Sequence, residues 1–291
     1  VDTHEHVRES LSALRSSLGC PVLLYAAESI SIGDLHIVHE CLRRAGTPSE
    51  LAVVLHTSGG DLHVAHRVAV LLREQVRALH ILVPEHARSA GTMLCLAAEK
   101  LTMGAGASLG PIDPQITASG QVGATELGTI STEDIRKLPE MCADWYGRQD
   151  SSLALHALLR SISPPTLSRF YRADKAARKS ALELLELAYR TASADWRESI
   201  ADRLLSGYDS HRHLISPAEA RRIGLAVTTP DPELESLLHD CVAPIRDSMY
   251  SSGGDLEPIL GLVAGDSGFV AAQRIRRDAD GGKPRIHWVR D

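Results

Sequence analysis

Three short, almost uninterrupted apolar runs limit the folds open to this chain. Pro21–Ala27, Leu51–His56 and Ala78–Val83 are rich in Val, Leu and Ile with little polar alternation, so each reads as a strand covered on both faces. Between them the pattern turns helical. Ala65, Val68, Ala69, Leu72 and Val76 fall on one helical face, and Ile37, Val38, Cys41 and Leu42 do so one repeat earlier. The runs begin about 28 residues apart, the length of a right-handed β-α-β unit. The expected class is α/β with parallel strands.

From about 131 to 206 the sequence is almost wholly helical, with one break at Ser163-Pro164-Pro165 and a long helix expected to restart at Thr166 or Leu167. Ser216-Pro217-Ala218-Glu219 reads as a capping box with proline at the first helical position, and Gly224 is placed to end that helix. Beyond about Thr229 periodicity weakens and glycine pairs appear at 253–254 and 281–282, which suggests a small appendage. Its basic residues, Arg274, Arg276, Arg277, Lys283, Arg285 and Arg290, read as a solvated face.

Composition narrows the function. With 44% hydrophobic and 23% charged residues the chain of 291 residues is globular, and 4% aromatics leave the core to Leu, Val, Ile and Ala. A formal charge of -6 argues against nucleic acid or an anionic membrane surface as the main partner. No apolar run reaches the ~20 residues that span a bilayer. A cytoplasmic location is expected, and the start at Val1 leaves open membrane association through a segment outside this chain. Cys20, Cys41, Cys95, Cys142 and Cys241 form no C-x-x-C pair and read as small hydrophobes in a reducing compartment.

Two glycine-containing turns follow strands directly. His56-Thr57-Ser58-Gly59-Gly60-Asp61 would leave backbone N–H groups facing outward at a helix N-terminus, a geometry suited to an oxyanion. It lacks both dinucleotide and P-loop spacing. The second turn runs Val83-Pro84-Glu85-His86-Ala87-Arg88-Ser89-Ala90-Gly91-Thr92, before an apolar helix expected over Met93–Ala98. Ser89 stands where a strand-loop-helix crossing exposes a hydroxyl to the positive end of a helix dipole. Taken alone, Ser89 reads more readily as a plain N-cap. With both turns on consecutive strands, the backbone N–H of Ala90 and that of Gly59 or Gly60 can converge on one oxyanion.

These residues carry a resemblance. His56-Thr57-Ser58-Gly59-Gly60, Ser89-Ala90-Gly91-Thr92 and Ala107-Ser108-Leu109-Gly110-Pro111-Ile112-Asp113-Pro114-Gln115 resemble the Clp protease/crotonase superfamily, and within it the serine dehydrogenase proteinase family, relatives of signal peptide peptidase A. A fourth block, Ser206-Gly207-Tyr208-Asp209-Ser210-His211 with Ile215 and Glu219–Leu225, is similar to that family's C-terminal signature. The resemblance covers roughly residues 20 to 228. The domain is expected over 1–228, with an extension over 229–291 that can dock a partner and on which the resemblance is silent. The resemblance implies a Clp/crotonase-type spiral of β-α-β units with a helical C-terminal segment. It also implies a homo-oligomer, a nucleophile at Ser89, and oxyanion donors at Gly59 or Gly60 and at Ala90. Ser58 stands at a usual proline position and Ala90 at a usual glycine; neither change removes an N–H.

The general base is open. In Clp proteases a histidine lies about 25 residues after the nucleophile; here that neighbourhood holds Asp113. Signal peptide peptidases use a lysine from a later helix, for which Lys137, Lys175 and Lys179 are the candidates. His211 matches a histidine of the serine dehydrogenase proteinase signature. An imidazole accepts a serine proton at neutral pH without burial, whereas a lysine must be desolvated, and Asp113 would then orient the ring as third member of a triad. The function expected is that of a serine peptidase acting on peptide or protein substrates through an acyl-enzyme, with no metal or other cofactor. The run His4-Glu5-His6 is too short for a zincin, and the i, i+3 spacing of His63 and His66 is common by chance. The rivals are a silent oligomeric scaffold that binds peptides or a partner, and a crotonase-like acyl-CoA enzyme that uses the oxyanion hole without a nucleophile. Nothing in the sequence resembles a cofactor site for serine dehydration.

Overall fold

The computed structural model describes residues 3–46, 48–117, 121–122, 125–126, 129–147, 151–250, 259–276 and 285–290. In chain order the elements are α1 (Thr3–Leu18), β1 (Val22–Ala27), α2 (Ile32–Ala45), β2 (Glu50–Thr57), α3 (Leu62–Gln75), β3 (Ala78–Val83), β4 (His86–Ala87), α4 (Ala90–Cys95), β5 (Lys100–Met103), β6 (Ser108–Leu109), β7 (Gln115–Thr117), β8 (Gln121–Val122), β9 (Thr125–Glu126) and β10 (Thr129–Ser131). A helical run follows: α5 (Thr132–Tyr146), α6 (Ser151–Ser161), α7 (Pro164–Ala188), α8 (Ala194–Ser206) and α9 (Pro217–Ile223). The chain closes with β11 (Val227–Thr228), α10 (Pro232–Tyr250), β12 (Ile259–Gly265), β13 (Val270–Arg276) and β14 (Arg285–Arg290).

The expected α/β class is the one observed. The main sheet runs β11-β5-β3-β2-β1-β12-β13-β14. β1, β2, β3, β5 and β11 are parallel, with Leu24 opposite Val54 and Val53 opposite Ile81. Both faces of the strands are covered, which is why they read as continuous apolar runs. Leu23, Tyr25, Val53, Leu55, Ile81 and Val83 point into one core beside Ile37 and Val38 of α2, Val68 of α3, Met93 of α4, Leu184 of α7 and Leu204 of α8. Leu24, Ala26, Val54 and Leu82 point the other way, against Val7, Leu11 and Leu14 of α1 and Leu238 and Val242 of α10. Each fully buried Leu or Val contributes about 1.5–3 kcal/mol.

Several details differ from expectation. α7 begins at Pro164, not at Thr166 or Leu167, because proline lacks an N–H and has a preset φ, and so fits a first turn; Ser163 caps it at Thr166 N. α4 begins at Ala90 and ends at Cys95 rather than spanning Met93–Ala98. Its first turn carries Gly and Thr, which hydrophobic periodicity cannot see, and its last residues tighten into i→i+3 bonds. Ser216 caps α9 at Glu219 N and Gly224 ends it in the left-handed region, but the Glu219 carboxylate bonds Tyr208 Oη and His213 Nε2 instead of closing a capping box.

The largest difference lies beyond residue 228. Instead of hanging off as an appendage, the segment adds β12 antiparallel to β1, with Leu24 opposite Ala264, then β13 and β14 outside it. An uncovered β1 edge would leave unpaired backbone groups beside an apolar face, and β12 satisfies both needs. Of the basic residues expected on a solvated face, Arg290 pairs with Glu40, while Arg277 and Lys283 lie outside the described residues. Cys41, Cys95 and Cys241 are buried free thiols, as small hydrophobes would be, and burial pushes Cys41 and Cys241 up to about 12. Among the described residues no helix is long and apolar enough to cross a membrane.

Candidate active site

The Ser89-Ala90-Gly91-Thr92 run makes sharp sense once its neighbours are in view. Ser89 has φ 50° and ψ -110°, the one non-glycine positive φ among the described residues. That conformation costs an L-residue of order 1–3 kcal/mol, so the surroundings must hold it. Gly91 is one hold: a Cβ there would lie 2.5 Å from Thr57 Cγ2, so only glycine lets α4 seat against the end of β2. Thr92 is another, its hydroxyl lying 2.8 Å from Ala87 O and from Gly110 O and accepting Gly110 N–H at 3.0 Å. Ser89 occupies the N-cap position of α4, yet its hydroxyl makes no capping bond. The plain N-cap reading therefore does not describe it.

The other turn meets this one closely. Thr57 pairs with Ala87 across β2 and β4, and a Cβ on Gly59 would sit 3.1 Å from Ser89 Cβ and 3.7 Å from Ala90 N. The choice between Gly59 and Gly60 is then one of free donors. Gly59 N–H already donates to Thr57 Oγ1 at 3.2 Å. Gly60, at φ 131°, is bridged to Ile30 through the bonds of its neighbours, Ile30 N to Gly59 O and Asp61 N to Ile30 O. Its own N–H takes no part in those bonds, and Ala90 N–H opens the first turn of α4, where no intrahelical acceptor exists. Asp61 caps α3 through His63 N and Val64 N, which fixes the turn's exit.

An open cleft of about 560 Å³ joins the candidates: Gly60, Ser89, Asp113 and His211 all line it. One wall is α7, through Arg169, Ala173, Ala177 and Ser180, whose spacing puts them on one helical face. Asp113 is 4% exposed. Its Oδ1 accepts the Thr132 hydroxyl at 3.0 Å and Glu133 N–H at 3.4 Å, at the start of α5, where the helix dipole favours a carboxylate. Its Oδ2 lies 3.8 Å from His211 Nδ1. No bond reaches that buried nitrogen from any described group.

The three lysines are placed elsewhere. Lys137 pairs with Glu140 at 2.9 Å and Asp209 at 3.0 Å, and these hydrogen bonds hold its ammonium well above the usual lysine range. Lys175 and Lys179 are exposed on α7, off the face that lines the cleft, with Lys175 over the Tyr171 ring. Sequence reasoning named neither Thr132 nor Thr92 as a positioning group; Thr92 stood within a quoted motif, whereas Thr132 had no signal, being 19 residues from Asp113.

Five further histidines are placed as follows. His63 lines the cleft, His66 Nε2 is 3.1 Å from Glu183 Oε2, and His6 Nε2 is 3.1 Å from Asp240 O. His56 and His86 lie four residues before Gly60 and three before Ser89, with ring centroids 4.2 Å apart. Burial, reinforced for His56 by Arg246 and Arg88 and for His86 by His56 and Arg88, lowers both to about 4.

Comparison with known proteins bears out the resemblance. Residues 3–135 match the family described as ClpP-like SDH-type serine proteinase. That stretch includes Gly59, Gly60, Ser89, Ala90 and Asp113 but ends before His211. Two proteins of Methanocaldococcus jannaschii are similar, both described as uncharacterized. MJ0137 is 27% identical over 84% of this chain and 74% of its own, and MJ1495 is 25% identical over 78% and 66%. Among solved structures, a mutant of the 1510-N membrane-bound stomatin-specific protease is similar over 77% of this chain and 81% of its own, at 15% identity and TM-score 0.44. A second mutant of that protease, in complex with a substrate peptide, is similar over 76% of each chain, at 16% identity and TM-score 0.44.

Proposed function

We propose that the chain is a serine peptidase that cleaves peptide bonds through an acyl-enzyme on Ser89. One observation carries the reading: a serine held at positive φ, its hydroxyl unused as a cap, shares a cleft with an imidazole–carboxylate pair. A strained turn that lifts a hydroxyl clear of its helix is how a nucleophile is presented. The match to a serine proteinase family over the stretch that contains Ser89 supports it.

The steps follow from the groups in place. Ser89 Oγ attacks the carbonyl carbon while His211 Nε2 takes its proton. The developing oxyanion accepts Gly60 N–H and Ala90 N–H, with the N-terminus of α4 behind them. His211 returns the proton to the departing amine, and a water, deprotonated by the same nitrogen, releases the acyl group. Asp113 Oδ2 holds the proton on Nδ1, so that Nε2 is the free base. The 3.8 Å gap closes by about 1 Å as substrate fills the cleft, since catalytic hydrogen bonds tighten on binding. That gap is also what favours the second reading, a peptide-binding scaffold whose base is out of reach.

Labelling with a fluorophosphonate and peptide mapping separates the two. The peptidase gives an adduct on Ser89 that is absent in Ser89→Ala and slowed in His211→Ala. A wild-type chain that stays unlabelled supports the scaffold. Association into a homo-oligomer belongs to the same proposal, and sedimentation velocity on the full chain tests it: a single species of monomer mass removes it.

A further inference from the structure

The two strands that lead into the catalytic turns carry a group of side chains that acyl transfer does not use. His56 sits at the end of β2, His86 opens β4, and Glu85 precedes it. One donor atom from each of the three lies within 4.8 Å of the others, with His56 Nδ1 3.7 Å from Glu85 Oε2. Donors on a tetrahedral zinc ion, at about 2.0–2.2 Å from the metal, stand about 3.4 Å apart. The His56–Glu85 pair is thus within a few tenths of an ångström of that spacing, and the whole group, within 4.8 Å, needs at most a shift of about 1.4 Å.

His56 supplies the second, independent observation. Its side chain is 1% exposed, and neither ring nitrogen has a hydrogen-bond partner among the described residues. Burying a polar group without a partner costs about 1–3 kcal/mol. The position lies in an otherwise apolar strand, where Val or Leu would pack without that cost. An ion would remove the penalty at the ring nitrogen that it binds. We propose that His56, Glu85 and His86 bind one divalent transition-metal ion of the zinc type, which ties β2 to β4.

The donor set and its setting fit that ion. Two imidazoles and a carboxylate suit zinc, nickel or copper better than magnesium or calcium, which prefer all-oxygen shells. The ligands stand on paired strands, since the next residues, Thr57 and Ala87, are in register, so the site is preorganised by the sheet. Arg246 Nη1 holds Glu85 Oε1 at 2.6 Å and leaves Oε2 toward His56. This is the outer contact that orients a ligating carboxylate. Ser58 Oγ, 3.4 Å from His86 Nε2, stands beside the group. Arg246 and Arg88 place positive charge nearby, so affinity falls below that of a closed structural zinc site, and the ion acts as a removable clamp. It would brace the Gly59–Gly60 turn and the strained Ser89 backbone together.

The test uses the full chain after chelator treatment and dialysis. Zinc is titrated by calorimetry, cobalt(II) by visible absorption, and thermal unfolding is followed with and without zinc. The expected result is one saturable ion per chain, cobalt bands of a four- or five-coordinate site and a raised melting temperature with zinc. His86→Gln, less buried than His56, weakens binding by at least about tenfold while the far-ultraviolet spectrum is unchanged. His36→Gln with His39→Gln, on the exposed side of α2, leaves it intact. Absence of saturable binding, or binding kept in His86→Gln and lost in the α2 variant, overturns the proposal. The readout is the ion, so its outcome is separate from serine labelling.

Discussion

Replacing Asp113 by Asn probes the logic of the site at one atom. Oδ1 of Asp113 faces two partners on α5, and one of them, Glu133 N–H, can only donate. An asparagine must therefore keep its carbonyl oxygen toward α5 and turn its NH₂ toward His211 Nδ1. An NH₂ in that place donates where the carboxylate accepts, so the imidazole adopts the opposite tautomer, with its proton on Nε2. It can then no longer take a proton from Ser89. The corresponding substitution in a Ser-His-Asp triad lowers turnover about 10⁴-fold, which is about 5.5 kcal/mol of barrier. Stability should change by less than about 1 kcal/mol, because both bonds to α5 survive. Asp113→Ala instead orphans Thr132 Oγ1 and Glu133 N–H and costs about 2–3 kcal/mol. The assay pairs the second-order rate constant for fluorophosphonate labelling with thermal unfolding of wild type and both variants. An Asp113→Asn protein that labels within about tenfold of wild type would refute the tautomer argument and Asp113's place in the triad.

Other expectations concern strain and burial. Ser89→Gly should abolish labelling yet raise stability by about 1 kcal/mol in denaturant unfolding, since glycine adopts the observed φ without cost. Gly60→Ala should destabilise by about 3 kcal/mol or more, its Cβ falling 2.4 Å from Ile30 N and 2.5 Å from Ile30 O, whereas Gly106→Ala, with nothing within 4 Å, should unfold like wild type. His80 is held at about 4, chiefly by burial and then by Lys100. The unfolded chain binds this proton near pH 6.5 and the folded chain does not. Its share of stability, up to about 3 kcal/mol, is thus present above pH 6.5 and lost as pH falls toward 4. His80→Asn should flatten that part of the stability–pH curve measured by urea unfolding; an unchanged slope counts against the assignment.

What could be read without coordinates follows from which interactions are local. The strands β1, β2 and β3 were legible because two covered faces leave no polar alternation. Ser89 was legible because its turn follows a strand and precedes an apolar helix. The strain at Ser89 was not, since the turn after it is seated against Thr57 and Gly110 of other segments, through Gly91 and Thr92. Nor did spacing say that Gly59 N–H is taken by a side chain two residues away, that of Thr57. The pairing of Asp113 with His211 crosses 98 positions and needs the folded cleft. The final strands did leave a signal. Ile259–Ala264 is an apolar run of strand length, but its flanking glycines suggested a tail, and its partner, β1, lies more than 230 residues earlier.

That pairing orders events as well as space. A ribosome releases β1, β2 and β3 first, and they have no finished neighbour on one side until β12 emerges. The layer under the sheet is split in the same manner: α1 from one end of the described chain, α10 from the other, both against Leu24, Val54 and Leu82. The smaller of the two apolar layers is thus unclosed while most of the polypeptide, including the residues that line the cleft, already exists. A shortened product ending near residue 228 would show a bare strand edge and an open apolar face, a sticky intermediate rather than a smaller stable domain. Such wiring leaves the closing of the β1 edge to a segment made more than 230 residues later.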